Sequence, residues 1–419
     1  MNHVKTLCLT TIVLIALCAA AGWADWPQFM GPNRDSVSTE TGLAHAFPAG
    51  GPPALWSAPL GAGFGGAVIY KGEVFVTDRV GDAQDVVLCL DFATGKEKWR
   101  CAYDAPGSLR SFPGTRCTPA VDDKYVIVTG PVGHMACVDK KTHLALWTKN
   151  LVQDCGARTT AWGYAQCPVL YKNSVIIAPQ GPEYGVIALE KATGKEVWHT
   201  QLAGGPGYVS PRLTTLGGVD QVLMVASGGN GGVSGLDAAT GKLLWNYSGW
   251  SCSTPIPMPT ALGDGRFFIS AGYGAGSDLF KVEKQGATWT ASQLWKTREC
   301  ASQIQMAVLY KGNLYANSFD NGQHDGLVCL DLTGKRLWAS MPTVGFDRGP
   351  LLLADGMLIM LDANSGDLCL IAAQPDSYKE LARAKVVNGQ AAWGPMALTN
   401  GKLLVRSQNE LKCLDLKAH

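Results

Sequence analysis

Short apolar runs broken by Gly, Asn and Asp recur along this chain, and two patterns of them alternate. The first is a pair of β-rich runs joined by a tight turn. Ala67-Val-Ile-Tyr-Lys71-Gly72-Glu-Val-Phe-Val76 shows it, with parallels starting at Pro168, Ala307, Pro350 and Pro395. The last two turn through Asp355-Gly356 and Asn400-Gly401. Such pairs suit a two-residue turn with positive φ at both central positions, so they predict hairpins. Pro119 to Val128 and Thr260 to Ile269 fit the same pattern, and Pro211 to Val225 is a looser version turning through Gly217-Gly218.

The second pattern is Cys89-Leu-Asp-Phe-Ala-Thr-Gly-Lys-Glu-Lys-Trp99: a strand ending in a carboxylate, a Thr-Gly-Lys turn, and a strand ending in Trp. Close copies run from Ala188 to Trp198, Gly235 to Trp245 and Cys329 to Trp338, and a blurred one from Cys137 to Trp147. Taken together, each repeat is a hairpin (strands A and B), a variable loop, strand C, the turn, and strand D with its Trp. Trp295 ends a further D strand, and a decayed one lies near Leu381. The repeat starting at Ala392 stops after strand C at Asp415, while Ala54-Leu-Trp56 is a D strand lacking its other three. Joining the two ends predicts an all-β fold, an eight-bladed propeller of four-stranded antiparallel blades over residues 54–419. The tryptophans are expected to pack each blade against the turn of the next.

Composition narrows the function. Hydrophobic residues make up 47% of the chain and charged ones 16%, enough for a large core, and 50 glycines suit many tight turns. A net charge of +1 with no basic run argues against a nucleic-acid partner. Residues 1–24 are expected to be a signal peptide: His3 and Lys5 precede an apolar stretch from Leu7 to Ala21, with cleavage after Ala24. The protein is then exported, periplasmic or secreted, with no membrane span in its mature chain. Residues 25–53, rich in Pro and Gly, are expected to pack over the propeller as irregular structure.

Cys89, Cys137, Cys329, Cys369 and Cys413 share one slot of the repeat, which Ala188 and Gly235 fill in other copies. Cysteine in that slot is read as a small apolar filler. Cys101, Cys117, Cys155, Cys167, Cys252 and Cys300 fall outside it and are free to pair, with a connectivity that sequence leaves open. No Cys-x-x-Cys, His-Glu-x-x-His or EF-hand spacing is present, and no metal site is expected.

The unit Ala/Cys-Leu-Asp/Glu-x-x-Thr-Gly-Lys-x-x-Trp is similar to the repeat of pyrroloquinoline-quinone (PQQ)-type propellers, over essentially the whole mature chain. Trp26 to Asp35 also resembles the opening of a group of exported PQQ-like repeat proteins, which more often carry Arg where Met30 stands. The resemblance implies two kinds of eight-bladed relative: quinoprotein alcohol dehydrogenases, and the BamB-like propellers of outer-membrane protein assembly. The dehydrogenases hold PQQ and calcium on the axis with acidic and amide ligands and a ring of adjacent cysteines. This chain has no Cys-Cys pair and no matching Glu…Asn…Asp set, and its length leaves little beyond eight minimal blades. The reading is therefore an exported, monomeric, non-catalytic binding or scaffolding module without a cofactor. PQQ with calcium belongs to the enzyme alternative.

In a propeller the loops leading into strand A crowd around the axis. Here they supply Arg116, Arg158, Arg298 and Arg348, the aromatics Trp162, Tyr164, Trp250 and Trp393, and Gln305. Arginine forks bind carboxylate or phosphate, and flat rings stack on planar ligands, so these residues are candidates for an axial funnel that takes an anionic or aromatic ligand or a peptide. The alternative is that they satisfy loop carbonyls and fill the blade tops.

Overall fold

The computed structural model describes residues 25–320 and 324–418, so the expected signal peptide lies outside the described residues. Strand β1 (Ala54–Pro59) is followed by a first blade of β2 (Val68–Tyr70), β3 (Glu73–Val80), β4 (Gln84–Asp91) and β5 (Glu97–Asp104). Six further blades follow, at 120–150, 169–200, 212–247, 260–297, 308–339 and 351–385, made of β6 to β29 in order. The chain closes with β30 (Ala397–Thr399), β31 (Lys402–Arg406) and β32 (Glu410–Asp415). The last sheet has the order β1-β32-β31-β30, with Trp56 opposite Cys413. The fold is thus an eight-bladed propeller of four-stranded antiparallel blades, closed by its first strand. Closure leaves only short edges at the rim.

The repeat's sequence signals have local causes. Lys71-Gly72, Lys311-Gly312, Asp355-Gly356 and Asn400-Gly401 all have positive φ at both positions, the geometry a two-residue hairpin needs. In the Thr-Gly-Lys turn the strand-ending carboxylate serves the backbone: Asp91 Oδ1 accepts from Thr94 N at 2.9 Å and Thr94 Oγ1 at 2.7 Å. These hydrogen bonds hold the Asp91 carboxyl below its usual range.

Each Trp ring covers the next blade's turn. Trp56 Nε1 donates to Phe92 O at 2.9 Å, Trp147 to Lys191 O at 2.8 Å and Trp295 to Leu332 O at 2.9 Å. The turn glycine gives the ring its seat: a Cβ on Gly241, at φ +75°, would lie 2.5 Å from the Trp198 ring. Gly241→Ala is expected to lower stability by about 1–3 kcal/mol through overpacking and an unfavourable φ. A drop in the urea midpoint at constant slope checks this. Two joints differ. In the blurred copy His143 takes the glycine slot at φ 62°, and its ring stacks 4.7 Å over Trp99. The fifth blade replaces the turn with the long hairpin of β20 (Gly276–Gln285) and β21 (Thr288–Thr297). Trp245 there donates instead to Gln221 Oε1 within its own blade and packs on Phe267 and Phe280.

The irregular segment after residue 24 runs along the side of the A–B turns and crosses the inner strands. Trp26 exchanges backbone hydrogen bonds with Ile69, Val121 N donates to Pro27 O, and Ser36 and Ser38 bond Leu353. Leu43 N donates to Asp355 Oδ2 at 2.9 Å, and Gly401 N to Glu40 Oε2 at 2.7 Å. The segment thereby touches the first, second, seventh and eighth blades. Arg34 extends it to the third, where Nη1 donates to Pro168 O at 3.0 Å. It is a plug across the shaft, with Trp26, Met30, Arg34 and Leu43 buried.

Candidate functional site

All eight loops that lead into an inner strand meet at the shaft, because a propeller's innermost strands surround its axis. They enclose a cavity of about 330 Å³. The plug lines it with Phe29 and Met30. Two aromatic groups face it. Phe64, Phe112 and Trp393 come from the first, second and eighth blades. The Trp393 ring stacks 5.2 Å from Phe64 and lies 5.3 Å from Phe112. Trp162, Tyr208 and Tyr273 come from the third to fifth blades, with Trp162 5.4 Å from Tyr208 and 6.4 Å from Tyr273. The Tyr208 hydroxyl accepts from Trp162 N at 3.1 Å, which fixes that loop.

Two arginines lie in the same wall. Arg348 sits 5.1 Å from the Trp393 ring and 4.8 Å from Phe319, with Nε donating to Asp347 Oδ1 at 3.0 Å and Nη1 to Gln303 Oε1 at 3.3 Å. Asp347 also accepts from Trp393 Nε1 at 3.4 Å, so one carboxylate orients both side chains. Arg116 lies 5.4 Å over Phe64 and donates to Gly114 O at 2.7 Å and to Phe112 O. Burial brings the Arg116 guanidinium down to about 10, so it is still charged at neutral pH. The residues lining the cavity include no Asp, Glu or His.

Of the nine residues singled out in the sequence, Arg116, Trp162, Gln305, Arg348 and Trp393 line the cavity. The other four do not. Tyr164 is buried, its hydroxyl donating to Ala178 O at 2.8 Å, and Trp250 is buried with Nε1 donating to Gly276 O at 3.3 Å. Arg158 and Arg298 are exposed. Phe29, Phe64, Phe112, Met258 and Tyr273 line the cavity without having been singled out. Phe112 lies in the same loop as Arg116, and Phe64 in the equivalent loop of the first blade, so their position in the repeat was the available signal.

Below the wall, three further arginines are built into the shaft. Arg406 donates to Gly65 O at 2.8 Å and Thr77 O at 3.1 Å, and Arg212 to Pro259 O at 2.7 Å, while Arg34 holds the plug. Burial brings each down to about 10. All three satisfy backbone carbonyls of neighbouring segments.

Residues 84–340, more than half of the chain, match the family of outer membrane protein assembly factor BamB. The chain belongs to the BamB family. Its fold agrees with that of a solved BamB and with that of several dehydrogenases. BamB from Moraxella catarrhalis aligns with a TM-score of 0.61 at 16% identity, over 88% of this chain and 98% of that one. Quinohemoprotein alcohol dehydrogenase from Comamonas testosteroni aligns with a TM-score of 0.64 at 13% identity, over 94% and 81%. A europium-containing methanol dehydrogenase gives 0.60 at 13%, over 93% and 89%. At these identities the likeness concerns the fold alone. No curated protein matches the chain in sequence.

PQQ with calcium is a cofactor that this wider group brings into question. Calcium takes about six to eight oxygen ligands, several of them carboxylates as a rule. Among the described residues the cavity lining offers no carboxylate, and the carboxylate of Asp347, beside the lining residue Arg348, is held by Arg348 and Trp393. Among the described residues no cluster of His, Cys, Asp and Glu could hold a metal ion. The residues present do not fit a calcium-held quinone.

Proposed function

We propose that this chain is an exported binding module whose axial cavity takes a small, planar, aromatic anion without transforming it. One observation carries the reading: two guanidinium groups, each backed by an aromatic face, share a cavity whose lining carries no carboxylate. Aromatic walls supply stacking and area, and the arginines supply charge-assisted hydrogen bonds in low dielectric. The volume lies near the lower end of the range of about 300–1,000 Å³ usual for small-molecule pockets, which favours a ligand of two or three fused rings. The described lining residues carry no carboxylate or imidazole, which supports binding and orientation as the work of these side chains.

Isothermal titration with 2-naphthoate, the neutral 2-naphthylmethanol and the non-aromatic cyclohexanecarboxylate tests this. Saturable binding of naphthoate, at least tenfold tighter than either control, is expected. Equal binding of all three, or of none, contradicts it. Oxidation of an alcohol with dye reduction, after loading with PQQ and calcium, would replace the reading with an oxidoreductase.

A second reading rests on the family match: a protein partner in outer-membrane protein assembly. It expects the chain to co-purify with insertion components and to lose them when arginines on the cavity face are replaced.

A further inference from the structure

Five of the described cysteines fill the repeat's apolar slot. Burial pushes Cys89, Cys137, Cys369 and Cys413 up to about 12, and each sits in the apolar slot of strand C. Cys117 and Cys167 are different in placement and in partners. They precede the inner strands β6 (Ala120–Val121) and β10 (Val169–Tyr171) of neighbouring blades, and those strands touch. The Cys167 sulfur sits against the Cys117 segment: it accepts the N–H of Thr118, the residue after Cys117, at 3.2 Å, while Cys117 Sγ accepts from Thr129 N at 3.4 Å.

We propose that Cys117 and Cys167 are a dithiol–disulfide pair that staples the second blade to the third behind the cavity wall. The pair lies directly behind lining residues: Cys117 follows Arg116, and Cys167 stands two places after Ala165, with its N–H donating to the Ser210 hydroxyl at 2.9 Å. The plug supplies a charge, since Arg34 Nη2 donates to Cys167 O at 3.3 Å. Burial pushes the Cys167 thiol up. The neighbouring Cys117 thiol, the Thr118 N–H and the Arg34 charge outweigh it and hold the thiol below its usual value, while Cys117 is pushed up.

The oxidant is a disulfide, of low molecular weight or carried by a protein. The thiolate of one cysteine attacks one of its sulfurs and releases one thiol. The other cysteine loses its proton, attacks the first in the mixed disulfide, and expels the second thiol. Two cysteine thiols are oxidised, and one external disulfide is reduced to two thiols. Both sulfurs are buried in the folded chain, so the exchange belongs to folding, before the blades close.

The test is to unfold the full chain, refold it in a glutathione buffer rich in the oxidised form, alkylate, digest and map peptides by mass. A linked peptide containing Cys117 and Cys167, two hydrogens lighter than the reduced pair, is expected. The Tm of this form should exceed that of protein unfolded and refolded in dithiothreitol by about 3–5 °C. In Cys117→Ala/Cys167→Ala that difference should vanish. Recovery of both cysteines as alkylated thiols from oxidised wild-type protein overturns the proposal whether or not the variant folds. So does a variant whose Tm depends on oxidant as the wild type's does.

Discussion

Trp56→Ala is expected to lower the unfolding free energy by about 3–5 kcal/mol, the cost of removing a buried tryptophan together with the cavity it leaves. The site concentrates three interactions at the closure of the ring. The indole lies on Gly95, whose added Cβ would come within 2.5 Å of the ring. Its Nε1 donates to Phe92 O, and its backbone pairs with Cys413 on β32. Loss of the ring weakens the joint between the eighth blade and the first, and removes the indole's hydrogen bond to the Phe92 carbonyl. Leu55→Ala, one residue away on an exposed side chain, should change stability by less than about 0.5 kcal/mol. Urea denaturation of the two variants separates the effects. Equal, small shifts would mean that the ring does not depend on this joint.

The second large effect concerns the cavity. Arg116→Ala and Arg348→Ala are each expected to weaken naphthoate binding about tenfold, and together about a hundredfold, since a hydrogen bond to a charged group contributes roughly 1.5–3 kcal/mol. Arg348 should show the larger loss. Asp347 and Gln303 orient its guanidinium, whereas Arg116 spends donors on the Gly114 and Phe112 carbonyls. Arg298→Ala and Arg158→Ala, whose side chains lie outside the cavity lining, should leave the affinity unchanged. Titrations at fixed ionic strength read all of these, because charge contacts weaken with salt. Loss of affinity in the outer variants equal to that in the inner ones would place binding elsewhere on the surface.

The repeating parts of the molecule were readable in the sequence because they repeat for local physical reasons. A glycine is needed where a turn takes positive φ under a ring, as at Gly95 and Gly241, and its interval marks the blade. The closure by Ala54–Pro59 followed from counting strands, and its register confirms the pairing. The blurred second copy was readable too, though nothing in sequence said that His143 would stack on Trp99.

The cavity was only half legible. Arg, Trp and Tyr in the loops leading into strand A marked the right loops, but a loop has no period, so side-chain direction could not be read from spacing. Tyr164 and Trp162 are two residues apart, yet one hydroxyl is tied to Ala178 inside a blade and the other ring faces the shaft. The plug was expected only as irregular covering. Its course depends on backbone bonds to residues as distant as Leu353 and on Arg34, which reads in sequence as an ordinary turn residue.

The most direct measurement is a crystal of the chain soaked with a bromo-2-naphthoate, with the bromine located by anomalous scattering. The account predicts one bromine site within the axial cavity, with the carboxylate in hydrogen-bonding range of Arg116 or Arg348. A cavity without bromine, with any sites confined to the outer rim of the blades, would contradict it.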